Sequence, residues 1–358
     1  MPGKASNQLS NKKGWKELFK INNGLKMEKE RNAFQGIGDK LGISPSGLIL
    51  IVILGLLSFV IRDEFQIRLL VSTMMFAAMA MAFDLTNGYV NICNFGFCAF
   101  WGLGAYTSAI LAAKLGISPW IGMLCGAAMA AVLGFCLGLL TIRLGGIFAS
   151  CMTWFVALAM MAIASNWVDL TGGSAGLNVP NLFQTAENRP YFYVMYGIMV
   201  LVLFVSMYIT KSNMGLAFKA VGQDIEAASS SGISPNKYKI ANLTISCALA
   251  GLVGGFYAHY IGTLTPQVMH TSRTVEVMAI SFIGGRGTIW GSLVSALIMV
   301  PLMEYAKGLM EFRLIIYGAA MILCMIFYPR GIVGILEIVK RLLNNRRKNT
   351  KEKVESAV

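Results

Sequence analysis

Charge is the first thing this chain is short of. Only 13% of its 358 residues are Asp, Glu, Lys or Arg, against roughly 25% in a soluble globular protein. A soluble surface cannot be made from so little charge. Histidine is scarce too: His259 and His270 are the two, and neither stands in an HExxH pattern or at ligand spacing from a carboxylate. That excludes a metal-dependent hydrolase and a nucleophilic triad as readings of the sequence. There is no GxxxxGK[ST] run, so the chain does not hydrolyse ATP through a P-loop of its own. No CxxC pair occurs among its seven cysteines (Cys93, Cys98, Cys125, Cys136, Cys151, Cys247, Cys324), which all lie in apolar stretches. They read as small buried hydrophobes rather than disulfides or metal ligands. The first 46 residues contain no apolar h-region, and no cleavable signal peptide is expected.

What the chain has in excess is apolar sequence: 56% hydrophobic residues, a mean hydropathy of +0.64 and 38 glycines. Apolar runs near the ~20 residues that cross a hydrocarbon layer recur along it, and small residues let membrane helices pack closely. The expected fold is all-α, a polytopic transmembrane helical bundle of about ten spans with discontinuous helices. The apolar segments are 47–61, 69–85, 95–113, 120–141, 147–167, 191–209, 240–261, 275–283, 289–306 and 315–327. Segment 275–283 is too short to span alone; it must start earlier, tilt or be a half-helix. The expected organisation is a basic cytoplasmic tail at 1–46, a transmembrane domain at 47–335 and a second basic cytoplasmic tail at 336–358.

The net charge of +13 sits mostly in the two tails. The positive-inside rule accounts for it, with anionic lipid as the contact and no nucleic acid. With both termini cytoplasmic, the polar loop at 210–239 also falls inside, as do Arg143 and Arg286. Loops 62–68, 169–189 and 262–273 fall outside, without excess positive charge.

Two breaks interrupt the apolar pattern. Asn87, Gly88, Asn91, Asn94 and Gly96 place amides and glycines where a span should begin. A carboxamide in hydrocarbon is costly without a partner, so this segment should be buried in protein or line a wet cavity. Gly284-Gly285-Arg286-Gly287 forms a second break after the short eighth segment. Breaks in both halves are a transporter feature. Asp84, Glu276 and Glu304 sit near predicted span ends, leaving the interiors almost free of charge. A mid-bilayer charge costs about 2.5–3.5 kcal/mol on insertion scales, and its absence argues against an ion-coupled carrier or channel. Energy then has to enter elsewhere, and the loop 210–239 is the candidate. Asp224 and Glu226 complement the N-terminus of a short helix, Gly232 ends it in the left-handed conformation, and Pro235 discourages continuation. Such a helix is a rigid lever for a soluble motor.

Here the residues resemble a known family. Gly215-Leu216-Ala217-Phe218-Lys219-Ala220-Val221, then Glu226-Ala227-Ala228, Gly232-Ile233 and Tyr238-Lys239, are similar to the loop of LivM-type permeases, the inner-membrane subunits of branched-chain amino acid ABC importers. Gly88-Tyr89, Gly96, Gly102-Leu103-Gly104-Ala105-Tyr106, Thr171-Gly172-Gly173-Ser174-Ala175-Gly176-Leu177, the run from Ala248 to Gly255, Tyr257-Ala258-His259-Tyr260, the run from Gly284 to Gly291 and Tyr328-Pro329-Arg330-Gly331-Ile332 follow in the family's order. The resemblance runs from about residue 48 to about 335.

It implies a multi-pass protein of the bacterial plasma (inner) membrane that does no chemistry on its substrate and holds no cofactor. ATP is used by partner subunits. A LivH-type permease, two cytosolic ATP-binding subunits and an extracytoplasmic substrate-binding protein are the implied partners. Gly215, Glu226, Ala227, Ala228 and Gly232 match the ATPase-coupling loop. The family's Ile-x-Leu-Pro ending is missing after Gly232, and Phe97 stands where the family often has histidine. Asn91, Asn94, Gly96 and Tyr106 are the candidates for the translocation pathway, with Thr107 beside them. Branched-chain amino acids are the implied substrates; urea, short amides or another small polar solute are the alternative. A stand-alone carrier and a non-transporting scaffold are the other classes. The missing intramembrane carboxylates speak against the first and the broken, Asn-rich segment against the second.

Overall fold

Local chemistry sets where each helix starts and stops. The computed structural model describes residues 45–305 except 62, 145, 184 and 186, with isolated positions beyond (315, 318–319, 321–323, 326 and 331). Nearly all of both basic tails, part of the tenth apolar segment and most of the 328–332 motif lie outside the described residues. The chain divides into two units, Met1–Val52 and Ile53–Val358, with the boundary inside the first helix, α1 (Pro45–Val60). In the larger unit, α2 (Glu64–Asp84) opens on Asp63, whose carboxylate accepts the Phe65 N–H at 3.1 Å. It runs on into a π turn, Leu85–Tyr89. Then come α3 (Phe97–Leu115), α4 (Pro119–Thr141), α5 (Ile147–Asn166), α6 (Arg189–Lys211), α7 (Asn213–Gln223), α8 (Ile225–Ser230), α9 (Pro235–Ile261), α10 (Thr271–Gly284) and α11 (Ile289–Tyr305). Prolines open α4 and α9, where a missing N–H is harmless. Left-handed Gly116 and Gly262 close α3 and α9.

Among the described residues, nine of the ten predicted apolar segments carry continuous helices, and the described positions of the tenth are helical as well. Six of these helices are long and apolar enough to cross a membrane. The eighth and ninth segments, α10 and α11, are two arms of one bent unit, turned by 116° at the Gly284–Thr288 break. The chain is a multi-pass helical bundle. The short eighth segment does start earlier, at Thr271, and at 14 residues it reaches about 21 Å, a half-helix beside a ~30 Å hydrocarbon core.

Glycine sets the packing of the centre. A Cβ on Gly104 of α3 would lie 2.2 Å from the Gly251 carbonyl of α9, and one on Gly126 of α4 would lie 2.5 Å from the Gly104 carbonyl. Three helices therefore meet backbone to backbone, as small residues permit in membranes. Phe97 is fully buried edge-on against Phe83, with ring centroids 5.4 Å apart, so at this position the chain has core packing.

Loops predicted on one side of the membrane gather at one end of the bundle. Leu177 and Asn178 pair antiparallel with Leu264 and Thr263. His259 bridges the Ser108 hydroxyl and the Pro180 carbonyl, both at 2.8 Å. Lys114 donates to the Asp169 carbonyl, and Asn188 donates to Glu64. The opposite end collects the π turn, the Thr141–Gly146 corner, α7, α8 and the Gly284–Thr288 break.

Three expectations need correction. Residues 90–96 are not helical, so the third span begins only at Phe97. This stretch runs antiparallel along α10: Asn91 meets Arg286, Cys93 Sγ lies 3.8 Å from Met278 Sδ, and the Cys98 N–H donates to Thr274 Oγ1 at 3.2 Å. The 262–273 loop is not wholly external. It dips into the bundle, so that a Cβ on Gly102, inside α3, would lie 2.3 Å from Met269 Cγ. Pro235 does not merely stop the preceding helix; it starts α9.

Gly104→Val puts a branched side chain where the α9 backbone lies. Backbone cannot step aside as a side chain does, so destabilisation of about 3 kcal/mol is expected, at the upper end for overpacking. A lowered melting midpoint of the purified protein in detergent, with Gly197→Val as a control in open space within a helix, checks it.

Candidate functional site: the junction of two broken helices with the polar loop

The π turn frees backbone groups that a continuous helix would have paired. Each is taken up by a neighbour. Asn242 Nδ2 of α9 donates to the Leu85 carbonyl at 2.8 Å, and the Ser246 hydroxyl, one turn on, donates to the Ala82 carbonyl at 2.6 Å. Thr86 Oγ1 donates back to the Phe83 carbonyl at 2.8 Å. Asn87 offers its carbonyl to Arg286 at 3.1 Å.

Asp84 ties this turn to the second break. Its side chain is fully buried. Oδ1 accepts the Gly287 N–H at 3.0 Å and the Ser281 hydroxyl at 3.2 Å. A Cβ on Gly88 would lie 2.3 Å from the Gly287 nitrogen, so the two breaks touch through their backbones. Gly287 itself takes φ +72°, which glycine adopts without strain. Gly331 packs on the same turn, its added Cβ 2.4 Å from the Gly285 nitrogen. The Arg286 guanidinium lies over the Phe282 ring and donates to Asn91 Oδ1. Asn91 takes a left-handed φ of +60°, which asparagine tolerates better than most residues.

The loop predicted to couple sits directly on this junction. A Cβ on Gly222, at the end of α7, would lie 2.2 Å from the Tyr89 carbonyl. The Lys219 ammonium stands 5.3 Å from the centre of the Tyr89 ring. Phe218 is buried edge-on to Tyr238 at the start of α9. Gly215 lies against the Thr210 carbonyl, at the corner where α6 turns into α7. Asp224 caps α8, accepting from the Glu226 and Ala227 amides at 2.9 and 3.0 Å. Gly232 ends α8 at φ +81°, while Ile233 N–H returns to the Ala228 carbonyl at 3.0 Å. Ala228 is buried; Glu226, Ala227 and Gly232 are exposed, with Ile225 beside them. Two cavities flank the contact, one of about 530 Å³ lined by Asn91, Gly146, Asp224, Glu226 and Lys239, the other of about 430 Å³ lined by Tyr89, Asn91, Lys219 and Arg286.

A family model described as the branched-chain amino acid transport system / permease component matches residues 65–325. The chain belongs to this family. The permease is 26% identical over 304 residues to the high-affinity branched-chain amino acid transport system permease protein LivM of Escherichia coli K12, covering 77% of this chain and 72% of the relative. It is 24% identical to the corresponding protein LivH of Salmonella typhimurium, over 74% of this chain and 93% of that one. The fructose import permease protein FrcC of Rhizobium meliloti is 27% identical over 52% of this chain and 55% of its own length. No solved structure matches.

Of the four pathway candidates, only Asn91 reaches the junction of this permease. Asn94 is buried and folds back, its Oδ1 accepting the Gly96 N–H at 3.1 Å to start α3. Gly96 is pressed on α5, an added Cβ lying 2.0 Å from the Thr153 carbonyl. Tyr106 is buried within α3, away from both cavities, and Thr107 donates to the Leu103 carbonyl of its own helix. The sequence reading missed the roles of Asp84, Gly222, Asn242, Ser246 and Ser281. One signal was available: Asn242 and Ser246 stand four apart on one face of an otherwise apolar helix.

Asp84→Ala leaves the buried Gly287 N–H and Ser281 hydroxyl without their acceptor. At ~1–3 kcal/mol per orphaned buried donor, a loss of about 2–4 kcal/mol is expected. Asp84→Asn, which keeps an acceptor oxygen, should lose less. Thermal unfolding in detergent would show equal losses for the two if the acceptor role were wrong.

Proposed function

We propose that this chain is one transmembrane subunit of an ATP-driven importer of branched-chain amino acids in the bacterial inner membrane. The observation that carries the reading is Gly222 against Tyr89: the motif of the coupling loop rests backbone to backbone on a broken span. Similarity to both LivM and LivH supports pairing with a LivH-type permease, because those relatives are named as separate permease proteins. Two ATP-binding subunits dock on the exposed face of α8, around Ile225, Glu226 and Ala227. That face is cytoplasmic, as are both termini. A binding protein delivers substrate at the Leu177–Leu264 end. The chain itself is no enzyme.

The geometry gives the coupling a mechanical form. α8 is short, capped at both ends and locked through Ala228, so a force on Ile225 or Glu226 moves it as a body. α7 carries that motion to Gly222 and Lys219. The π turn and the Gly284–Thr288 break then move together, since Asp84 clasps one to the other. About ten spans are retained in this reading, with α10 entering from the outer side and α11 returning.

A second reading, a permease for another small polar solute such as urea or a short amide, takes support from the similarity to a fructose permease. One experiment separates them: leucine uptake in cells deleted for the gene, with and without the chain restored, competed by excess urea and repeated after ATP depletion. ATP-dependent leucine uptake that requires the chain and ignores urea is expected. Uptake surviving ATP depletion would remove the ATP-driven reading, and absence of leucine uptake would move the substrate to the second class.

Glu226→Ala and Gly232→Val should each reduce uptake about ten-fold, equivalent to ~1.4 kcal/mol, with the chain still in the membrane fraction. Gly232 has open space around it, so its valine variant strains only the left-handed turn. Normal uptake by both variants would end the coupling role of α8.

A further inference from the structure

Of the two cavities that flank the α7 contact, one gathers positive charge alone among the described residues. Lys219 of α7 and Arg286 of the Gly284–Thr288 break line the cavity of about 430 Å³, together with Asn91 and Gln223 and without a carboxylate. The neighbouring cavity holds both signs, Asp224 and Glu226 with Lys239. Among the described residues neither Lys219 nor Arg286 is in an ion pair. Asp84 feels the Arg286 charge, but it is fully buried, commits Oδ1 to Gly287 and Ser281, and is no part of the cavity wall.

The polar groups left over here are donors. Arg286 commits Nη2 to the Asn87 carbonyl and to Asn91 Oδ1. A guanidinium also donates from Nε and Nη1, and those hydrogens meet no acceptor among the described residues. Asn91, with Oδ1 taken, keeps its Nδ2 group. The one described contact of the Lys219 ammonium is the Tyr89 ring. Both cations are exposed, so a solute or a head group can reach them. Like charges on one cavity repel. The elements that bring them together are pinned backbone to backbone, Gly222 on Tyr89 and Gly88 on Gly287, so the cations cannot separate by moving their helices apart. An anion relieves the repulsion.

We propose that this cavity binds a phosphate group, with Lys219 and Arg286 balancing its charge and Asn91 and Gln223 donating to its oxygens. Arginine holds phosphate through charge-assisted hydrogen bonds and lysine as a point charge. A phosphate presents oxygens on several sides, which suits donors that arrive from α7, from the stretch after the π turn and from the second break. The level of the site in the fold indicates a source. α7 follows directly on the long apolar α6, and it exposes Leu216 one turn before Lys219 on the same face. Apolar surface beside a cation suits the head-group layer, and basic pockets at the cytoplasmic ends of spans take anionic head groups. The phosphodiester of an anionic lipid and free inorganic phosphate share the chemistry that the cavity recognises. Either one ties α7 and both breaks together through a single ligand, whatever solute the permease carries.

The test is thermal unfolding of the full-length chain in a neutral detergent with phosphatidylglycerol, with diacylglycerol of the same chains, or with inorganic phosphate against chloride at equal ionic strength. Phosphatidylglycerol is expected to raise the midpoint by binding the folded chain, and diacylglycerol to leave it in place. Lys219→Gln removes one charge-assisted contact, so about ten-fold more lipid should be needed for the same rise. Lys219 is exposed, so this variant leaves the packing intact. Lys237→Gln, at an exposed lysine outside the cavity, is expected to keep the whole effect. A Lys219-dependent rise with inorganic phosphate alone would support the site and assign it to a soluble anion. Three results would each overturn the proposal: no rise with either phosphate compound, an equal rise with diacylglycerol, or a rise that Lys219→Gln retains in full. A rise lost equally in Lys219→Gln and Lys237→Gln would come from surface charge and would overturn it too.

Discussion

A backbone amide inside a bilayer has no water to turn to, and the architecture of this permease follows from how that demand is met at two broken helices. Where α2 passes into the π turn, carbonyls lose their intrahelical partners; Asn242 and Ser246 of α9 supply hydrogens to two of them. Where α10 ends, the Gly287 amide turns inward and Asp84 accepts it. Neither break is satisfied wholly by its own segment. Each is completed by an element far away in sequence, so the two breaks and α9 form one folding unit. Glycine at positions 88 and 287 is the corollary, because the backbones must approach closely enough for one carboxylate to serve both.

That arrangement also decides how motion travels. Side chains between a lever and its load can repack and absorb a displacement; a glycine against a carbonyl leaves no side chain to do so. Gly222 on the Tyr89 carbonyl and Gly88 on Gly287 form a short series of such contacts from α7 to the base of α10. Residues 91–98 then run along α10 toward its first turn. These contacts join α7, the π turn and α10 in one continuous series. The polar residues at the inner end serve first to join the backbones of separate elements.

Much of this was legible beforehand. Low charge and recurring apolar runs gave the helical membrane class, and among the described residues nine of the ten segments carry continuous helices. The cap at Asp224, the left-handed Gly232 and the half-helix near 275–283 followed from local rules about termini and length. Depth was not legible. Hydropathy places a charge at a span end whenever the apolar run stops there, so Asp84 and Glu276 were assigned to ends and the 262–273 loop to the outside. In the structure the loop dips inward through Met269, and the first turn of α10 goes with it. The pairing of Asp84 with Gly287 spans 203 residues and has no local signature. Asn94 and Gly96 stood out correctly as abnormal for hydrocarbon. In the structure Asn94 starts α3 and Gly96 packs on α5, contacts between distant segments that no rule about polar residues in spans specifies.

The distribution of charge then has a physical logic. An ionised group in a span is penalised by lipid and by dry protein alike, so a polar side chain persists there only where hydrogen bonds, a counter-charge or water compensate. Asp84, fully buried, has two donors on one oxygen. Arg286 meets this condition at the inner end, against Asn87, Asn91 and the Phe282 ring. Arg273 is different: it is deep, and two-fifths of its side chain is open. Packing alone would favour burying or replacing such a group, since a hydrophobic residue of the same volume would hold α10 against its neighbours at no desolvation cost. Its Nη1 is held 3.1 Å from Glu276 Oε2, so the charge is paired within its own helix.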